Sequence, residues 1–200
     1  MSPLDLRPRP EYADVHTVGI PRALLYYRYH VMWQTFLESL GRTVIYSDPS
    51  DRGILEVGAH LSIDECCLAS KLYMGHVDNL IGRCDALFIP SIDNLGHHEG
   101  FCTKFQALPD LVANTFGTRC PTIVSCEVDK TDSHVSERDA FIALAQSFGA
   151  SKKEGKRAYA EAVHAQEKHD GAEAKEQAKQ LKGITAPVSY THLTLPTKLE

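Results

Sequence analysis

The sequence predicts an α/β fold: a doubly wound, mostly parallel sheet with helices on both faces, followed by a helical C-terminal segment. Three observations predict it. Short apolar runs, HTVGI (16–20), RTVIYS (42–47), CDALFIP (84–90) and PTIVS (121–125), punctuate the first two thirds of the chain. Between them, apolar residues fall at spacings of three and four over stretches long enough for crossover helices. Right-handed crossovers then place helices on both faces of the sheet.

Taken in order, residues 1–15 form a proline-rich lead, and HTVGI opens an α/β domain over 16–132. Pro21 stands where a helix tolerates a missing N–H, and the spacing predicts a helix from there to about Leu40, with Leu25, Tyr29, Met32, Trp33, Phe36 and Leu40 on its buried stripe. Gly41 is its stop. After the second strand, the turn at Asp48-Pro49-Ser50 leads to a helical segment near 51–60. A second helix is expected from about Asp64 to Leu80, with Leu68, Leu72, His76 and Leu80 sharing a face. CDALFIP gives way to a loop containing Asn94, Gly96 and Gly100, then to one helix from about Cys102 to Phe116. PTIVS is the last strand expected.

From residue 133 the pattern becomes helical to 183, first DAFIALAQSFG and then an Ala/Glu/Lys/Gln-rich run whose few large apolar residues suit an exposed helix. VSYTHLTLPT (188–197) reads as the translation of a sequencing-library adapter, and 184–200 is set aside as a non-native tail. A natural continuation is expected in its place.

Composition narrows the function. Hydrophobic residues make up 43% of the 200 and are spread thinly, so no stretch approaches the roughly 20 apolar residues of a membrane span. Residues 1–150 hold 12 basic and 19 acidic side chains, a poor surface for a phosphate backbone, and no nucleic-acid partner is expected. The N-terminus lacks the basic start and apolar run of a secretory signal, which makes the cytoplasm the expected compartment. In that compartment the six cysteines are reduced thiols or metal ligands rather than a disulfide framework.

Ligands of a doubly wound sheet bind at its carboxyl edge. That rule sorts the cysteines. Cys84 and Cys120 begin or precede strands and belong to the opposite edge and the core. Cys67 and Cys102 lie at helix starts on the ligand side, and Cys126, just past a strand, is a third candidate there. A helix N-terminus favours a thiolate, and the same donors offset the negative charge of an iron–sulfur cluster. The alternative is that these thiols are small core hydrophobes. Cys66 adjoins Cys67, and the two side chains point in different directions, so one of them at most is a ligand.

Lys71 and Arg22 fall near the same edge, where each either attracts an anion or is merely solvated. His97 and His98 are either metal ligands or solvated loop residues, and His76 packs within its helix. No dinucleotide fingerprint, Walker loop, nucleophile elbow or catalytic triad is present.

Three segments resemble a known family: VGIPRALLYYRYHVMWQTFLESLGRTVIYS (18–47), IDECCLASKLYMGHVDNLIGRCDALFIPSI (63–92) and FCTKFQALPDLV (101–112). They look like the acyl-CoA dehydratase activase-related proteins (DUF2229) of the 2-hydroxyacyl-CoA dehydratase and activator group, over about residues 17–180. The family pattern, a cysteine followed by Leu-Pro-x-Lys and later Cys-Pro-Lys, marks Cys67 with Lys71 and Cys102 with Lys104. Ala69 and Thr103 stand where the pattern has proline, which alters backbone rigidity beside the sulfurs. The resemblance implies a 4Fe-4S cluster held by cysteines at the sheet edge, low-potential electron transfer, and a dehydratase or ATP-dependent activator protein as partner. Remaining ligands are expected beyond residue 187. The alternative expectation is a non-catalytic scaffold that docks onto such an enzyme.

Overall fold

The computed structural model describes residues 10–95, 101–129 and 134–183. Strand β1 (Thr17–Ile20) is buried from Val18 onward. Helix α1 spans Tyr26–Ser39 and starts later than Pro21 suggests, because Leu24 holds φ at +55°, which a right-handed helix cannot contain. The expected stripe is nevertheless the buried one: Tyr29, Met32, Trp33 and Phe36 all face inward. Gly41 ends the helix at φ +75°, a conformation that costs glycine nothing.

Strand β2 (Thr43–Tyr46) pairs with β1 in parallel, Val18 opposite Val44. Helix α2 (Arg52–His60) is capped by Asp51, whose carboxylate accepts the Ile54 N–H at 2.8 Å. Helix α3 (Leu68–Leu80) begins at Cys67 rather than Asp64. Its buried face is Tyr73, Met74, His76, Val77 and Leu80, whereas Leu68 is 59% exposed and does not share it.

Strand β3 (Ala86–Phe88) does not stop at Pro90. It resumes as β4 (Ser91–Asn94), where a loop was expected. Pro90 has no N–H to give, so the ladder breaks there, but the Ile89 N–H donates to the Val124 carbonyl and the Ser91 N–H to the Cys126 carbonyl on either side. Strand β5 (Thr122–Val124) resumes likewise as β6 (Glu127–Asp129). Between them the single helix expected over 102–116 is two, α4 (Thr103–Gln106) and α5 (Leu108–Phe116). Pro109 sits in the first turn of α5 and cannot donate back to the preceding turn, so the chain breaks at Ala107.

The main sheet has the order β2-β1-β3-β5, parallel throughout, with β4 and β6 forming a further parallel pair. Two apolar clusters flank it. One gathers α1, helix α6 (Glu137–Ser147) and the start of helix α7 (Lys152–Gly183), and the other gathers α3 and α5. In the first cluster Phe141 meets the Phe36 ring edge-on at 4.9 Å, and both side chains are essentially inaccessible. Burying each contributes about 2–3 kcal/mol. The compact unit runs to Gln166, so α6 and the first part of α7 share the core of the α/β domain. Residues 170–181 of α7 are exposed on every side. No described helix is long and apolar enough to cross a membrane. The tail over 184–200 and His97 and His98 lie outside the described residues.

Candidate functional site

Cys67 and Cys102 occupy equivalent positions. Each is the N-cap of a helix, Cys67 of α3 with φ −63° and ψ 153°, Cys102 of α4 with φ −61° and ψ 136°. Neither helix has a side-chain cap, and both thiols are exposed. This follows from the winding: α3 must run toward the amino edge to deliver β3, so its N-terminus stands at the carboxyl edge. The chain that leaves β4 starts α4 at the same edge.

The Cys67 thiol is held below the ordinary thiol range, first by the Ser70 hydroxyl at 3.3 Å and by the Ser70 N–H, with a smaller contribution from the Lys104 ammonium. Lys104 lies two residues beyond Cys102, so the segment that bears Cys102 acts electrostatically on Cys67. Lys71 plays a different part. Its ammonium donates to the Asp64 carbonyl at 3.1 Å and ties down the turn that leads into α3.

Cys126 is not brought to this pair. It belongs to the cluster on the α1 and α6 face of the sheet, whereas α3 packs on the other. Burial pushes its thiol up to about 12, with the Glu137 carboxylate adding to the effect. The physical reason is that Cys126 lies in the short link between β5 and β6, where its carbonyl accepts the Ser91 N–H and its side chain enters the apolar cluster. Cys84 and Cys120 pack against the α3 and α5 cluster, and burial raises both thiols.

Two features escaped the sequence. Ser70 is one; its position three residues after an N-cap was the available signal. The other is a polar cluster above β1 and β2. His76, fully buried, is held between the Ser47 hydroxyl at Nδ1 (2.9 Å) and the Ser50 hydroxyl at Nε2 (2.8 Å). Ser47 also accepts the Arg22 backbone N–H at 2.8 Å. Desolvation lowers the His76 pKa, and the Arg22 charge lowers it further against the pull of Asp51 and Asp48. An apolar crevice lies beside this cluster, between the carboxyl ends of β1 and β3, lined by Pro21, Leu24, Tyr73, Phe88 and Phe105.

A 4Fe-4S cluster takes four thiolates. Two exposed cysteines at helix N-caps, one of them with a depressed pKa, have the donor chemistry for two of these. Among the described residues, no three His, Cys, Asp or Glu side chains converge closely enough to hold a metal ion.

Fold and site together define a doubly wound α/β domain with two exposed cysteines, each the N-cap of a helix that starts at its carboxyl edge. A family model described as the CoA enzyme activase uncharacterised domain (DUF2229) matches residues 17–193, and the chain belongs to that family. The match covers the whole described α/β domain and runs on into the segment set aside as adapter-derived. No curated protein matches the chain.

Proposed function

We propose that this chain is an iron–sulfur component of a CoA-enzyme activase system, with Cys67 and Cys102 as two thiolate ligands of a 4Fe-4S cluster. The observation that carries the reading is their shared placement as exposed N-caps, the end of a helix at which backbone N–H groups lack helical partners. Ser70 and Lys104 add donors and positive charge around the same sulfur. When bound, the cluster supplies one-electron transfer at low potential. The further ligands come from a partner, a dehydratase or an ATP-dependent activator, or from residues beyond those described. ATP chemistry belongs to the partner, because this chain carries no Walker motif or dinucleotide fingerprint.

The test is anaerobic reconstitution of the full chain with iron and sulfide, alone and with a candidate activator. Iron content and the visible thiolate-to-iron absorption should fall in Cys67→Ala and in Cys102→Ala and persist in Cys84→Ala, with far-UV circular dichroism unchanged. Full iron retention in both of the first two variants overturns the reading. A colourless protein that still co-purifies with a dehydratase or activase supports instead the scaffold, for which the exposed, charged length of α7 over 170–181 is the favouring observation.

A further inference from the structure

Arg22 stands two residues beyond the end of β1 and has a use for its charge that the cysteines do not explain. Its guanidinium carbon stands 5.6 Å from the Tyr46 ring centroid and 6.0 Å from that of Tyr26. Aromatic faces stabilise the cation but accept none of its in-plane N–H groups. The Nε–H is buried with no acceptor among the described residues. The hydrogen bond the residue does make comes from its backbone N–H, to Ser47. A guanidinium that is partly desolvated and has no carboxylate partner among the described residues is arranged for an anion from outside the chain.

The neighbouring carboxylates are already committed. Asp51 accepts the Ile54 N–H at 2.8 Å as the α2 cap. Asp48 accepts from Asn79 Nδ2 at 2.9 Å and from Arg83 at 3.3 Å. The hydroxyl relay next to Arg22 also ends in a donor. With the His76 ring proton on Nε2, Ser47 Oγ accepts the Arg22 N–H and gives its own proton to His76 Nδ1, and His76 Nε2–H donates to Ser50 Oγ. Ser50, exposed at the turn into α2, keeps its proton for something else. Arg22 and Ser47 each follow the carboxyl end of a strand, the edge at which such sheets take ligands.

We infer that a phosphate-type oxyanion binds against the Arg22 guanidinium at the β1–β2 carboxyl edge, with the Ser50 hydroxyl as a second donor. The site draws on neither iron nor cysteine, so it and the cluster reading can fail separately.

Calorimetric titration of the full chain with inorganic phosphate, pyrophosphate and acetate tests it. Saturable binding of phosphate or pyrophosphate is expected, and tighter binding of pyrophosphate would assign the oxyanion to a diphosphate-bearing ligand rather than to free phosphate. Arg22→Lys keeps the charge but loses the fork and the Nε–H, and should weaken binding about tenfold or more. Ser50→Ala, which also removes one partner of His76 and is therefore checked for an unchanged far-UV circular dichroism, should weaken it several-fold. Absence of saturable phosphate and pyrophosphate binding, an acetate affinity equal to that of phosphate, or affinities untouched by both substitutions overturns the inference.

Discussion

Gly58 on α2 lies directly against the main-chain carbonyl of Lys71 on α3, and Gly75 on α3 meets the Ile54 carbonyl of α2 in the same manner. The two contacts run in opposite directions along the helices, so α2 and α3 form an antiparallel hairpin whose connecting turn ends at Cys67. Only glycine permits backbones this close. A methyl group at Gly58 overlaps backbone atoms, which cannot rotate away. Gly58→Ala is therefore expected to lose about 2 kcal/mol or more, against the ~1 kcal/mol that alanine otherwise gains in a helix. Gly171→Ala, with open space around its α-carbon, should show that gain instead. Urea unfolding midpoints with unchanged slopes measure both, and equal behaviour of the two variants would contradict the hairpin contact.

His76 sets a pH dependence with a definite sign. Burial lowers its pKa in the folded state, so the unfolded chain binds the proton more readily. Stability contributed by neutral His76 is present above the ordinary histidine value of about 6.5 and is lost as pH falls through it toward the depressed folded value. Unfolding free energies measured from neutral pH down to about 5 should decline in the wild type and decline less in His76→Asn, whatever the offset between them. Parallel curves would mean that the imidazole is not buried neutral between Ser47 and Ser50.

How much of this was legible depended on which residues carried the signal. The apolar runs around Val18, Val44, Leu87 and Ile123 announced the parallel sheet, and the strand-to-helix order alone located Cys67 and Cys102 at helix starts. Pro109 marks the break between α4 and α5, but the apolar spacing continues across it and masks the signal. SIDN and EVD each carry one apolar residue in three or four, too few to show a strand period, and Pro90 hides the continuity. The misplacement of Cys126 follows from that: Val124, Cys126 and Val128 alternate at strand period and all enter the same cluster. The Ser47–His76–Ser50 relay had no local signature, because it joins residues 29 and 26 positions apart.

Leu24 offers a test of strain beside the crevice. Holding a leucine at φ +55° costs about 1–2 kcal/mol, and its half-buried side chain returns a comparable amount through contact with the α3 and α5 cluster. Leu24→Gly should thus leave stability within about 1 kcal/mol of the wild type, because relief and loss offset each other. Leu25 is the control: it is equally half-buried but sits in right-handed conformation at the start of α1. Leu25→Gly should lose about 2 kcal/mol. Thermal denaturation that finds Leu24→Gly as damaging as Leu25→Gly would rule out the left-handed turn.

The two lysines that accompany the cysteines should separate by thiol titration. Lys104 acts on Cys67 through its charge, after the larger effect of the Ser70 hydroxyl, whereas Lys71 has spent its ammonium on the Asp64 carbonyl. In metal-free protein, the alkylation rate of Cys67 against pH should rise with a midpoint below the ordinary thiol value of about 8.5. Ser70→Ala should move that midpoint up the most, Lys104→Gln by less, and Lys71→Gln leave it in place while loosening the turn. Cys126, buried and pushed up to about 12, should label only when the chain unfolds. A Lys104→Gln midpoint equal to that of the wild type would mean that the two cysteine-bearing segments do not act on each other across the carboxyl edge, and would remove the electrostatic link between Cys67 and the helix that Cys102 begins.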